Sequence, residues 1–439
     1  MGLFFGTDGI RGIACEEISG SLAYKVGASL ASMVKNAKIL VGRDTRVSGQ
    51  FLAVSFCAGA MSGGATVTDV GITPTPAVAF LTKSLNYDFG VVISASHNGK
   101  EFNGIKVFDK NGYKLSDKEE ERVERGFIKT RIQSFDMLGK YENKKGLVKK
   151  YEDFLVSNGT DLTGLKIVLD GSNGALYSIA PSVFKRLNAQ VVTIACKNDG
   201  MKINDGCGAL NPQKMARTVV QQGAFMGFAF DGDGDRIIAC TSEGRIIDGD
   251  IILYAMAKQL KKEGRLKKNT VVGTSHTNMA IEKKLNAEGI MLIRADVGDK
   301  YVLAKLLEQG LSLGAEQSGH VILKDLTTTG DGILTAVVIA SMLKAEREKT
   351  QSKTFDVKPY PQTNLNVEVS DKLRIMNNEE ICSCIRKEQN KISETGRITV
   401  RASGTENKIR IMVESENKAV CDEVAQYIKS VIKEKDMGI

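Results

Sequence analysis

Four short stretches of this sequence carry residue types and spacings that could do chemistry. Residues 90–98, G-V-V-I-S-A-S-H-N, run from an apolar segment straight into two hydroxyls, Ser94 and Ser96, and the imidazole of His97. The carboxyl end of a strand is where open α/β sheets place their ligands. Residues 231–236, D-G-D-G-D-R, follow another apolar run and set Asp231, Asp233 and Asp235 on alternate positions before Arg236. Three carboxylates this close repel one another, so folding them together calls for a cation. Oxygen-only donors select a hard ion, Mg²⁺ or Ca²⁺. The loop fails as an EF-hand, because Arg236 stands where the sixth position needs glycine and Ser242 where the twelfth needs a bidentate glutamate.

The other two stretches suit the rest of a phosphorylated ligand. R-A-S-G-T, residues 401–405, offers the Arg401 fork, the hydroxyls of Ser403 and Thr405, and backbone N–H groups around Gly404, which is a phosphate-binding set by type. A-E-Q-S-G-H, residues 315–320, brings Glu316, Ser318 and His320, acceptors and small donors of the kind sugar hydroxyls require. Taken singly, each stretch also reads as an ordinary polar turn. Together they fit one reaction, phosphoryl transfer through a serine. Such a serine needs a metal on its phosphate, cations to offset the charge and a distal site for a second phosphate.

The elements that must position these loops alternate. A helix carries Leu22, Val26, Leu30 and Met33 on one face, a strand follows at 38–41, a helix starts near Gln50, and a β segment lies near Val67 before the apolar run that ends at Ile93. The pattern restarts with a strand at 165–169, a D-G-S-N-G turn, a helix at 175–187 and strands at 190–195 and 225–230. It runs a third time through 270–273, a helix near 279–286 and 290–293. Alternation of this kind predicts three similar α/β domains with mixed or parallel sheets, at 1–150, 151–249 and 250–357. Beyond a stiff K-P-Y-P connector, paired strands at 397–401 and 408–413 flanked by helices predict a C-terminal α+β domain over 358–439.

Bulk properties exclude other classes. A hydrophobic content of 42% with 26% charged residues belongs to a globular protein. The net charge of +8 is spread over helix-spaced lysines such as those in 258–268, with no aromatic interleaving, so no nucleic-acid partner is expected. Eight cysteines without a C-x-x-C pair point to reduced thiols in the cytoplasm. Asp8 and Arg11 argue against a signal peptide, Gly6 stands where a myristoylation motif wants Ser or Thr, and the apolar stretch 333–343 is too short to span a bilayer.

The order of motifs resembles one superfamily. F-G-T-D-G-I-R-G (5–12), S-A-S-H-N (94–98), N-G-I-K (103–106), D-G-D-G-D-R, E-Q-S-G-H and R-A-S-G-T-E-N-K (401–408) are similar to the motifs of the α-D-phosphohexomutases, over nearly the whole chain. The wording of E-Q-S-G-H and of V-G-D-K-Y-V (297–302) is most like the bacterial phosphoglucosamine mutase branch, whose phosphomannomutase/phosphoglucomutase cousins usually carry histidine where Asp299 stands. The resemblance implies four domains around a central cleft, the last of them TBP-like. It implies Ser96 as phosphoserine and, with Asp231, Asp233 and Asp235, as ligand of one Mg²⁺ per subunit. Arg11, Lys106, His97 and Arg236 would complete the catalytic group, with Lys106 a proton shuttle whose pKa a neighbouring cation lowers. Glu316, Ser318 and His320 would hold the sugar, and Arg401, Ser403, Gly404 and Thr405 the phosphate that is not transferred.

The reaction implied is interconversion of glucosamine 6-phosphate and glucosamine 1-phosphate through a 1,6-bisphosphate that turns over in the cleft. A hexose 1,6-bisphosphate would act as activator, the product would feed UDP-N-acetylglucosamine and cell-wall synthesis, and a homodimer and an activating kinase stay open as partners. Gly99, Ala315, Ala402 and Asn407 depart from the usual family wording, as does S-H-T-N at 275–278 with His276. The lost prolines at 402 and 407 should loosen the phosphate loop. The alternatives are a phosphomannomutase/phosphoglucomutase and a non-catalytic phosphosugar sensor.

Overall fold

The computed structural model of the chain describes residues 4–6, 8–128, 132–345, 351–403 and 406–437. Its α/β part carries three sheets. The first has seven strands in the order Phe5–Gly6, Gly9–Ile13, Phe102–Asp109, Phe89–Ile93, Lys38–Arg43, Thr66–Ile72, Tyr141–Asn143. Its parallel half holds the strands 89–93, 38–43, 66–72 and 141–143, and its antiparallel half the rest. Phe89–Ile93 is buried at every position, as a strand covered on both faces must be. Helices Gly20–Met33 and Val47–Ser62 pack against each other on it and bury Leu30, Leu52 and Phe56.

The second sheet runs Ile246–Ile247, Ile237–Thr241, Met226–Phe230, Lys166–Asp170, Gln190–Ile194, and the third Met291–Ala295, Thr270–Thr274, Leu313–Ala315, Val321–Leu323. In both, a parallel core ends in an antiparallel strand, so each of the two metal- and sugar-type loops sits where a parallel strand turns back on its antiparallel neighbour. The three α/β sheets match the expectation from sequence. The strand beside the serine loop was hidden from it. Phe102–Asp109 reads F-N-G-I-K-V-F-D, in which Asn103 and Gly104 break the apolar pattern although both are buried. Gly104 is required there: a Cβ would stand 2.5 Å from the Ile10 carbonyl and 2.7 Å from that of Ser94. The helix expected at 175–187 begins later, at Ile179–Arg186, because two consecutive left-handed residues, Ser172 and Asn173, hold the chain in a turn.

Helix Val148–Ser157 is anchored by Tyr151, fully buried, whose hydroxyl donates to Asp331 Oδ2 at 2.8 Å. Asp331 also accepts from Leu334 N at 2.9 Å and so caps helix Gly332–Ala345. Burial pushes its pKa up to about 7. The folded protein therefore holds a proton there that the unfolded chain releases near pH 4. The stabilisation this gives is complete below about pH 4 and is lost as the pH rises to about 7. Asp331→Asn is neutral at every pH, so its melting temperature should rise relative to wild type between pH 4.5 and pH 7.5, then level off, about one to three degrees per lost kcal/mol for a chain of this size. Parallel thermal melts check this, and a difference independent of pH would contradict it.

Two compact units emerge, Met1–His276 with Gly289–Phe355, and Thr277–Glu288 with Asp356–Ile439. The second is built on a three-stranded antiparallel sheet, Gln362–Glu368, Lys408–Ser415, Gly396–Ala402, with 408–415 in the centre. Helices Glu379–Ile392 and Lys418–Met437 cover it over a core of Ile409, Ile411, Val413, Ala425 and Ile428, which is the α+β arrangement expected. Glu414 is fully buried and ties helix Met279–Ala287 to this unit. It accepts from Met279 N (2.7 Å), Asn278 Nδ2 (3.0 Å), Gln362 Nε2 (2.5 Å) and Arg397 Nε (3.1 Å). Among the described residues no helix is long and apolar enough to cross a membrane.

Candidate active site

Strand Phe89–Ile93 delivers the serine loop. Ser94 Oγ donates to Asp44 Oδ2 at 2.5 Å and accepts from Ser96 N at 2.9 Å, which turns the chain sharply. Ser96 sits in the left-handed region at φ 52°, a conformation that costs a non-glycine residue and persists only where the surroundings enforce it. The enforcing group is Arg46, buried on all sides. Its Nε donates to Asp44 Oδ2 at 2.9 Å and its other nitrogens to the carbonyls of Ser96 (3.0 Å), Asn98 (2.9 Å), Phe102 (3.0 Å) and Gly99. Asn204 Nδ2 adds bonds to the Ser96 and Asn98 carbonyls at 2.8 and 3.0 Å. Sequence reasoning passed over Asp44, Arg46 and Asn204. The only signal was an Asp and an Arg two apart after strand Lys38–Arg43; Asn204 gave none.

The hydroxyl so presented meets the acidic loop. Ser96 Oγ donates to Asp231 Oδ2 at 2.5 Å, joining residues 135 apart in sequence. Asp231, Asp233 and Asp235 are all buried, and one carboxylate oxygen from each can be chosen so that the three lie within 4.8 Å of one another. Asp233 Oδ1 and Asp235 Oδ1 are buried with no hydrogen-bond partner. Carboxylate oxygens pointing at one another without donors are the signature of a cation site, so the residues present fit a hard divalent metal. Burial, with Asp235 and Asp233 adding to it, raises the pKa of Asp231 well above the carboxylate range. Thr75, the first residue of helix Thr75–Ser84, braces the site by donating to Asp233 Oδ2 at 2.6 Å.

Lys106 lies on strand Phe102–Asp109, fully buried. Its Nζ donates to Asp233 Oδ2 at 2.8 Å and Asp235 Oδ2 at 3.3 Å and stands 3.1 Å from Asp8 Oδ2. The sequence reading gave it a pKa lowered by a neighbouring cation, and the structure reverses that. Burial opposes the charge, yet Asp233, Asp235 and Asp8 together overcome it and hold the pKa well above the usual lysine value, with Arg11 a smaller opposing influence. Lys106 thus sits in an ion-pair network with three carboxylates. Arg11, on strand Gly9–Ile13, donates to Asn98 Oδ1 at 2.9 Å and pairs with Asp8.

The remaining members of the first unit converge as well. His97 is held near a pKa of about 4, first by burial and then by Arg236 and Arg11, so it is a neutral imidazole whose Nδ1 is buried without a partner. Arg236 N donates to Asp231 Oδ1 at 3.1 Å, and its buried Nε is unpartnered. Glu316 Oε2 accepts from Gly298 N at 3.0 Å, and burial raises its pKa. Ser318 is exposed. His320 is buried, with Nδ1 3.8 Å from Asp235 Oδ2 while Nε2 accepts from Gly330 N at 3.0 Å. Burial pushes its pKa down and the carboxylates of Asp235, Asp299 and Glu316 push it up, for a net rise. The Gly330 N–H needs the Nε2 lone pair, so the proton belongs on Nδ1, facing Asp235. Only glycine fits at 330, since a Cβ would come within 2.6 Å of the ring atoms.

The proposed distal phosphate loop belongs to the second unit. Gly404 and Thr405 lie outside the described residues. Arg401 is exposed on strand Gly396–Ala402, directly opposite Arg410 on the neighbouring strand. Two like charges paired across strands cost energy in the free protein and favour an anion between them. Ser403 is buried, with its carbonyl accepting from Lys372 Nζ at 2.8 Å and its Oγ from Arg410 Nη2 at 3.4 Å. Arg410 and Lys372 went unread in the sequence, because only the strand register brings them to this loop.

Comparisons with known proteins agree with this geometry. The chain matches the family descriptions phosphoglucomutase/phosphomannomutase alpha/beta/alpha domains I, II and III over residues 2–133, 148–244 and 248–360, and the C-terminal domain over 365–431. It is 42% identical over 446 residues to the phosphoglucosamine mutase of Pelotomaculum thermopropionicum, covering 99% of this chain and all of that protein. It is 43% identical over 447 residues to that of Clostridium kluyveri, covering 99% and 100%. Among solved structures, a phosphoglucomutase/phosphomannomutase family protein of Burkholderia thailandensis superposes with a TM-score of 0.82 at 23% identity, covering 99% of this chain and 97% of that one. The N-acetylphosphoglucosamine mutase of Aspergillus fumigatus, solved with GlcNAc-6P and magnesium, superposes at 0.68 and 15% identity, covering 99% and 96%. The serine loop, the aspartate loop and these matches along the whole chain give one conclusion: the chain belongs to the phosphohexomutases, isomerases of the phosphoglucomutase/phosphomannomutase family, and within them to the phosphoglucosamine mutases.

Proposed function

We propose that the chain interconverts glucosamine 6-phosphate and glucosamine 1-phosphate by way of a phosphorylated Ser96 and a glucosamine 1,6-bisphosphate. The observation that carries the reading is the 2.5 Å contact of Ser96 Oγ with Asp231, in a loop whose Asp233 and Asp235 each leave a buried oxygen unpartnered. Asp231, Asp233 and Asp235, with an oxygen from Ser96 or its phosphate, would hold Mg²⁺. When bound, that ion supplies charge neutralisation at the transferring phosphoryl group. The side chains do the rest. Arg46 and Asn204 fix the loop so that Oγ points at the acceptor, Lys106 and Arg11 offset phosphoryl charge, and Glu316 and Ser318 take sugar hydroxyls. In the second unit, Arg401 with Arg410 and Ser403 would receive the phosphate that stays on the sugar.

Transfer in one direction places the phosphoryl group on the sugar, and return from its other end regenerates phosphoserine, so each turnover needs primed enzyme. A hexose 1,6-bisphosphate would prime it. Its eight free thiols suit the reducing cytoplasm. A second reading, phosphomannomutase/phosphoglucomutase, keeps every residue role and changes only the sugar. Turnover of the 6-phosphates of glucosamine, N-acetylglucosamine, glucose and mannose side by side, with Mg²⁺ and bisphosphate primer, decides between them. The expected result is a kcat/KM for the amino sugar at least about tenfold above the others, a difference of about 1.4 kcal/mol. Equal or better use of glucose or mannose phosphate would move the substrate and leave the mechanism.

A further inference from the structure

Six side chains in the first unit close a ring in which acid and base alternate. Lys106 Nζ lies 3.1 Å from Asp8 Oδ2 and 3.3 Å from Asp235 Oδ2. His320 stands 3.8 Å from Asp235 through Nδ1, and its Nε2, which accepts from Gly330 N, lies 3.8 Å from Asp299 Oδ2. Lys114 completes the circuit with ion pairs to Asp8 Oδ1 and Asp299 Oδ2. Lys106, Asp235 and His320 sit in the loops and strand described above, and Asp8 sits beside Arg11. Lys114 belongs to none of the motifs. It follows strand Phe102–Asp109, its side chain is 14% exposed, and it shares with Asp299, Leu303 and Thr328 the wall of a cavity of about 340 Å³.

The ring matters because Asp8 is contested. Arg11, Lys106 and Lys114 all pair with it. Burial works against its charge, and Lys106, Lys114 and Arg11 hold its pKa far below the carboxylate range all the same. A phosphoryl group on Ser96 needs Arg11 and Lys106, the same two cations. With Lys114 on Oδ1, Asp8 is both anchored and half neutralised, so Lys106 and Arg11 can turn part of their charge to the phosphoryl group. Without Lys114, Asp8 would draw both cations toward itself, and Asp299 would lose its lysine partner at the start of helix Asp299–Gln309.

We propose that Lys114 is a positioning residue for phosphoryl transfer, its ammonium gripping Asp8 and Asp299 so that Lys106 and Arg11 stay available to the phosphoryl group on Ser96. The proposal rests on the phosphoserine reading above. The test uses the full chain, with Lys114→Met and Lys114→Arg compared with wild type for kcat, KM and melting temperature. The expected result is a kcat lowered about tenfold to a hundredfold in Lys114→Met, with KM for glucosamine 6-phosphate within about threefold and activity largely recovered in Lys114→Arg. Should Lys114→Met not fold, Lys114→Gln, which keeps a polar head without the charge, is read the same way. An unchanged kcat, a rise in KM alone, or parallel loss of activity and melting temperature in both variants would overturn it. No turnover by wild type would remove the phosphoserine reading and this proposal together, whereas full activity in Lys114→Met beside an active wild type removes this proposal alone.

Discussion

Ser96→Ala is expected to lose sugar-phosphate interconversion by about four orders of magnitude or more, because the group that accepts and donates the phosphoryl is gone and nothing nearby replaces it. The neighbouring hydroxyl, Ser94 Oγ, is committed to Asp44 and to the Ser96 N–H. The fold should survive. Arg46 and Asn204 hold the Ser96 carbonyl, which alanine retains, and alanine bears the same Cβ that serine already places at φ 52°. Assays beside thermal melts check both halves. Residual activity above about one hundredth of wild type would mean that the phosphoryl group travels by another route.

Asp231→Asn has the second large effect, and it has opposite signs with and without metal. Asp231 lies in a buried cluster with Asp233 and Asp235, accepts from Ser96 Oγ and the Arg236 N–H, and has its ionised form opposed by burial and those two carboxylates and favoured by Arg236. Asparagine needs no proton taken up to be buried there, so in chelator the melting temperature should equal or exceed that of wild type. Adding Mg²⁺ should raise the wild-type melting temperature by mass action and leave the variant nearly unmoved. Activity at saturating Mg²⁺ should fall by about a thousandfold, the scale of losing a principal charge-stabilising contact. An equal Mg²⁺ shift in the two proteins would contradict the metal assignment.

What the sequence disclosed was local. Ser96 and the three aspartates could be read because a strand end, a residue type and a spacing of two coincide within a few positions. The same locality defeated the reading of Lys106. Its partners lie 127 and 129 residues away on another sheet's loop, so the sign of its pKa shift depends on a juxtaposition that no window of sequence contains. Arg46 drew no reading from the sequence, and only the convergence of four carbonyls and Asp44 explains why it is buried. Strand Phe102–Asp109 went unread because Asn103 and Gly104 serve close backbone packing rather than period-two burial. Helix Met279–Ala287 read as part of the third α/β repeat, while Glu414, some 135 residues on, ties its first turn to the second unit.

The most direct test of the central claim follows the phosphoryl group itself. Wild-type protein carrying a ³²P-phosphoryl group on Ser96, with the site confirmed by peptide mass spectrometry, is chased in a single turnover with unlabelled glucosamine 6-phosphate and Mg²⁺. The account predicts that label leaves Ser96 and appears first in glucosamine 1,6-bisphosphate and then in the monophosphate pool, with little inorganic phosphate. Label that stays on Ser96 while the sugar isomerises, or that is released only as inorganic phosphate, would contradict it.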